Sequence, residues 1–173
     1  MFSIIKYLTE NSGFTQRDLN IAKRSEQGLT LGVLGGLGAG LKTYGGFNQE
    51  MIPNVILPMG IAGDAIGNIY GRYEKIKNPD AQIDETNPEN RVKIISKEYH
   101  NPISNTLIGG GIYGLKTGLP VVSAVALPAG LIYSGYRGQE AARKLGYGPK
   151  KRILAALPIT NSIVGNLNPD NKN

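Results

Sequence analysis

The chain has 173 residues, enough for one domain or two small repeated halves. It contains no cysteine, which excludes disulfides, thiolate catalysis and cysteine-ligated zinc or iron–sulfur centres. The formal charge is +6, and 24 residues are glycine, about twice the usual share of roughly 7%.

These glycines sit inside apolar runs, so they argue for close backbone packing rather than linker. With no Trp and only three Phe, a core must be built from small and aliphatic side chains helped by Tyr. No large aromatic ligand pocket is expected.

Residues 1–28 read as one or two amphipathic helices. Phe2, Ile4, Ile5, Tyr7 and Leu8 form an apolar cluster that Ser12-Gly13 breaks. The cluster is too short for a secretory apolar region and Lys6 interrupts it, so no cleavable signal peptide is expected. Thr15 with Asp18 three residues later is a helix-start pattern, with Asp in place of the usual Glu or Gln.

Four apolar segments follow, at about 29–46, 51–71, 103–118 and 119–135. They pair into one glycine-rich hairpin over 29–71 and a second over 103–136. Between them lies a polar connector, 72–102, where six basic side chains balance six acidic ones from Arg72 to Glu98. Asn78-Pro79, Asn87-Pro88 and Asn101-Pro102 punctuate it as turns, because the residue before proline is pushed out of the helical region. Within it, 91–99 reads as a strand or a short helix. Residues 137–173 read as a basic helix at 138–145, a Gly148-Pro149 turn, a short apolar stretch at 153–157 and a polar tail.

The two hairpins resemble each other. Gly35-Gly36-x-x-x-Gly40-Leu41-Lys42-Thr43 recurs as Gly109-Gly110-x-x-x-Gly114-Leu115-Lys116-Thr117, 74 residues on. Val55-x-Leu57-Pro58-x-Gly60 recurs as Val125-x-Leu127-Pro128-x-Gly130, 70 residues on. A longer first turn accounts for the four-residue difference. The reading is an internal duplication, against chance convergence of two glycine-rich segments. The fold class predicted is therefore all-α: two repeated apolar hairpins, four main helices, with flanking amphipathic helices.

Helical spacing sorts the glycines into rows. Gly32, Gly36 and Gly40 stand four apart, as do Gly63, Gly67 and Gly71, then Gly110, Gly114 and Gly118; the fourth segment has Gly130, Ser134 and Gly138. Residues four apart share a helix face, so each row is a groove into which a second helix can press. Glycine loops are the alternative, although turn-forming polar residues are scarce around these positions.

Thr117 to Tyr136 is an uncharged run of 20 residues, the length a membrane-spanning helix needs; Gln27 to Leu41 and Asn101 to Leu115 reach 15 each. Lys42 and Lys116 would have to snorkel, and Asp64 interrupts the second segment. These three are the candidate buried charges. If the segments span, the lysine and arginine distribution puts both termini on the cytoplasm-like side. The alternative is a helical bundle buried in protein.

The basic excess is a C-terminal patch: Arg137, Arg143, Lys144, Lys150, Lys151 and Arg152 against Glu140, a local balance of +5. Such a patch suits lipid headgroups or nucleic-acid phosphates, or merely solvates a helix end.

No residue pattern points to an enzyme, a cofactor or a metal. His100 is the single histidine, so any Ser-His-Asp site would need it, and no nucleophile elbow accompanies it. Gly32-x-x-Gly35-Gly36-x-Gly38 lacks the strand and the acidic residue of a dinucleotide loop. Gly40-Leu41-Lys42-Thr43 ends like a P-loop, but its spacing recurs at Gly114, which favours packing.

In its glycine-rich apolar hairpins, lack of cysteine and Asn- and Lys-containing tail, the chain resembles small bacteriophage virion proteins that enter or cross the host envelope. That resemblance implies a non-enzymatic structural component of a larger assembly, located in a virion or a membrane and engaged in genome delivery. Its partners would be copies of itself or other subunits, and a lipid membrane. The four-segment plan also resembles, in outline, the mitochondrial inner-membrane protein translocases. That family's Arg- and Asp-bearing signature is not found after Gly40, and its apolar runs are longer. The translocase resemblance implies an integral transport subunit with Asp64 and Lys42 or Lys116 lining a path.

Overall fold

The computed structural model describes residues 13–158 and 160–170. The apolar cluster Phe2 to Leu8 and the end of the polar tail lie outside them. Among the described residues the fold is all-α, with seven α-helices and no strand; a single bridge pairs Thr15 with Gln82. The helices are α1 (Gln16–Tyr44), α2 (Leu57–Tyr73), α3 (Pro88–Tyr99), α4 (Pro102–Lys116), α5 (Pro120–Lys144), α6 (Pro149–Ala155) and α7 (Asn161–Asn166), and a π-helical turn (Ile52–Ile56) leads into α2.

Proline and asparagine set the helix starts. α3, α4, α5 and α6 each begin on proline, whose missing N–H is lost at no cost in a first turn. Two of the Asn-Pro turns are therefore helix starts. Asn101 Oδ1 accepts the N–H groups of Ile103 and Ser104 at 3.1 Å each, and Asn87 Oδ1 accepts that of Glu89 at 2.9 Å. At α1, Asp18 Oδ2 accepts the Thr15 N–H at 2.9 Å while Thr15 Oγ1 faces the Asp18 N–H, a capping box closed by Asp. Glycine sets two of the ends. Gly118 (φ 73) and Gly146 (φ 82) take the left-handed conformation, and the following N–H groups, of Leu119 and Tyr147, return to Gly114 and Ala142.

Two helices run further than expected. α1 continues through the boundary placed at residue 28, because no proline stops it and a lone glycine costs only about 1 kcal/mol. The basic segment 138–145 is not a separate helix but the end of α5, which passes through Gly135 and Gly138.

The chain divides into two compact units that interleave in sequence. Among the described residues, unit 1 takes 13–20, 75–99, 135–158 and 160–170; unit 2 takes 21–74 and 100–134.

Unit 1 has an ordinary apolar core of Phe14, Leu19, Ile83, Ile94, Ile95, Ala141, Ala142, Leu145, Tyr147, Ala155 and Val164. α3 supplies its central face, burying Arg91, Ile94, Ile95, Glu98 and Tyr99 at helical spacing. α7 packs on α3 at Gly165, where an added Cβ would stand 2.6 Å from the Val92 backbone. Among the described residues Arg91 is held without a carboxylate. Its guanidinium donates to the carbonyls of Glu85, Thr86, Gly165 and Leu167 and to the Tyr147 hydroxyl, at 2.7–3.2 Å. It thereby ties the loop before α3 to the chain after α7.

Unit 2 is built the other way. Its only buried apolar side chains are Ile21, Ala22 and Met51. The rest of the interior is glycine together with Ser25, Asp64, Asn68, Asn101, Ser104, Ser123 and Ser134. Large aliphatic side chains face outward, among them Leu31 (70% exposed), Val121 (76%) and Ile132 (72%).

Candidate functional site

Glycine determines how α1 meets the chain that returns beside it. A Cβ at Gly28 would collide with the Gly63 carbonyl, and one at Gly63 with that of Gly28. Gly32 stands in the same way against Met59, and Gly67 against Arg24. Further along, a Cβ at Gly36 would lie 2.8 Å from Ile56 Cα, and one at Gly40 would lie 2.6 Å from Met51 Cε. As α1 advances by four residues, its partner retreats by four, so the two segments run antiparallel with their backbones in contact. Gly71 is buried as well. Gly28 belongs to this row although it precedes the first apolar segment.

The third row is placed differently. Gly110 is exposed with nothing near its Cβ position, and Gly118 lies in the turn beyond α4. Gly111 and Gly114 carry the contact instead, with added Cβ atoms 2.8 Å from the Leu127 N–H nitrogen and 2.7 Å from Ser123 Oγ. The reason is geometric: α4 ends at Lys116, and the face it turns toward α5 passes through 111 and 114. An added Cβ at Gly130 would stand 3.0 Å or less from Leu107 and Ile108, and Ser134 is fully buried. Gly138 belongs to unit 1, where its Cβ position is blocked by the Ala155 carbonyl.

Of the three candidate buried charges, only Asp64 is buried, at 2% exposure. Ser25 Oγ donates to its Oδ1, and Asn105 Nδ2 donates to its Oδ2 at 2.8 Å. Lys42 is exposed, and Lys116 stands 3.9 Å from Glu50. Among the described residues no lysine or arginine pairs with Asp64.

Beside this network unit 2 holds an apolar pocket of about 220 Å³. Leu29 and Val33 of α1, Ile52 and Ile56 of the π-helical turn, Leu57 and Ile61 of α2, and Ile108 of α4 form its walls, with gaps at Gly60 and Gly109. Its polar members are His100 and Asn105. His100 is exposed as a residue, yet desolvation lowers its pKa below the usual histidine value, against the opposing pull of Asp64.

The basic patch is partly neutralised within unit 1. Arg137 pairs with buried Glu98, Arg143 with Glu140, and Lys151 with Asp170. Lys144 stands 5.5 Å from the centre of the Phe14 ring. Glu98 and Asp170 lie outside the 137–152 window, so a local count of charge misses them. At Glu98, burial acts to raise the pKa, but Lys97 and Arg137 together hold it below the ordinary carboxylate value.

Among the described residues no three His, Asp or Glu side chains gather as metal ligands, and no helix is long and apolar enough to cross a membrane. The expected spanning run at 117–136 is divided by the turn at Gly118, with α5 starting only at Pro120. No protein-family model matches the chain, and no curated protein or solved structure is similar to it.

Proposed function

We propose that this chain is a non-enzymatic structural component of a larger assembly, in which other subunits or further copies cover the outer face of unit 2. The carrying observation is the inverted build of unit 2, with glycine and polar groups inside and large aliphatic side chains outside. A surface of this kind forgoes roughly 25 cal/mol for every Å² of apolar area left in water, and contiguous exposed apolar patches mark contact surfaces. A protein covering is favoured over a bilayer by helix length. At about 1.5 Å per residue, α2 and α4 fall short of the roughly 30 Å hydrocarbon core. Membrane contact at a surface, through Lys150 and Arg152, suits the same reading. So does a place in a virion that delivers its genome through an envelope.

The two apolar hairpins, 29–71 and 103–136, belong to this proposal as a duplication. Gly60 packs on Val33, and Gly130, its counterpart in the second copy, packs on Leu107, the counterpart of Val33. Another pair has diverged: Gly36 is packed, whereas its counterpart Gly110 is open. The reading as a transport subunit keeps one observation in its favour, the buried Asp64.

Sedimentation of the purified full chain in detergent-free buffer tests the proposal. Self-association, or a requirement for detergent or partner, is the expected result. A monodisperse monomer at all concentrations would overturn it, and flotation with anionic vesicles reports membrane contact separately.

A further inference from the structure

The pocket of unit 2 joins two features that each lack a complement. Its walls are aliphatic, and its volume of about 220 Å³ exceeds the roughly 150 Å³ of an apolar cavity that accepts benzene. A chain of about six carbons fits such a space. The π-helical turn contributes Ile52 and Ile56 to the wall, and a π-helical insertion often accompanies a binding site.

The polar end has the opposite character. Asn105 Nδ2 is committed to Asp64 Oδ2 at 2.8 Å and to the His100 carbonyl at 2.9 Å, so the remaining polar atom of its amide is an acceptor, Oδ1. Behind that amide stands Asp64, a buried carboxylate held by two neutral donors and without a cationic partner among the described residues. Three cations of unit 2 are engaged or exposed: Arg24 pairs with Glu74, Lys116 lies by Glu50, and Lys42 faces solvent. A buried carboxylate left in this way is costly, and a cation brought by a ligand offsets the cost.

We propose that this pocket binds a short primary alkylamine in its ammonium form, the alkyl chain between α1, α2 and α4 and the ammonium at Asn105 Oδ1, with Asp64 as counter-charge. A carboxylate head is repelled by Asp64. Pockets of this kind take orientation from a few polar groups and affinity from the apolar walls.

The test is a titration of the full chain, carrying ¹³C-labelled isoleucine methyls, with hexylammonium, 1-hexanol and hexanoate. Saturable shifts are expected at Ile52, Ile56, Ile61 and Ile108, with Ile94 and Ile95 unmoved. Hexylammonium should bind about tenfold or more tightly than hexanoate. In Asp64→Asn that preference should vanish while hexanol still binds, and Val33→Phe should fill the pocket and abolish all three. Equal binding of hexanoate and hexylammonium, or shifts spread without saturation over all isoleucines, would overturn the proposal. The ranking in the unmodified chain decides this even where a variant fails to fold.

Discussion

Glu98 stands on the buried face of α3 with Lys97 Nζ 2.5 Å from one oxygen and Arg137 on the other. Its folded pKa lies below the ordinary value because the two cations outweigh burial. A carboxylate depressed on folding stabilises the folded state when ionised. The contribution is complete above the unfolded pKa of about 4.3 and is lost as pH falls through the lower folded value. Urea unfolding of the wild type should therefore show stability declining through the acid range below about pH 5. Glu98→Gln should be less stable near neutrality and flatter across that window. Parallel curves for the two proteins would remove Glu98 from the account. Asp84, Glu140 and Asp170 are depressed too, by hydrogen bonds at the surface, and they cancel in the comparison. Neither Glu98 nor Arg91 was legible in the sequence. Both sit in a connector whose charges balance, and what distinguishes them is burial against residues 39 to 76 positions away.

At the scale of elements, glycine has two opposite meanings that a substitution can separate. At Gly63 the Cβ position is occupied by backbone, the Gly28 carbonyl, which cannot rotate aside. Gly63→Ala should force α1 and α2 apart and cost about 1–3 kcal/mol, in the range of overpacked cores. At Gly38, in the middle of α1, and Gly110, in α4, nothing lies within 4 Å. Alanine there only removes backbone freedom, so each change should stabilise by about 0.5–1 kcal/mol. Denaturant midpoints of the three variants check this, and a stabilising Gly63→Ala would mean the helices do not touch there. The first two rows were legible because i, i+4 spacing is a property of any straight helix. Where the third row's face points was not, because that depends on where α4 ends and which side meets α5. Gly28 went unread because it lies outside the apolar run, though inside the helix. Asp64 was legible as a charge in an apolar segment, whereas its partners Ser25 and Asn105 come from other helices.

Across the whole molecule, the two units obey different rules for where apolar side chains go. In unit 1 aliphatic and aromatic groups fill a core, as they do in water. In unit 2 small residues let the backbones close and leave the large side chains outside, so folding that unit alone hides little apolar area. Its stability should then depend on what covers it, through mass action between covered and uncovered states. Val121, Val125 and Ile132 on α5 offer a direct probe, because they are 76%, 66% and 72% exposed. Such side chains contribute little to the fold of a single chain, since truncating exposed groups usually changes stability by less than about 0.5 kcal/mol. Changing all three to Gln should leave helix content and the protection of α3 amides in unit 1 intact. If the outer face of unit 2 is an assembly surface, the same triple change should shift sedimentation from associated species toward monomer. Association equal to the wild type with the helices intact would place the contact on another face. Loss of helix content would instead show that these side chains hold the single chain together. The contrast works because the substitutions act on the surface between molecules and spare the glycine contacts that close each molecule.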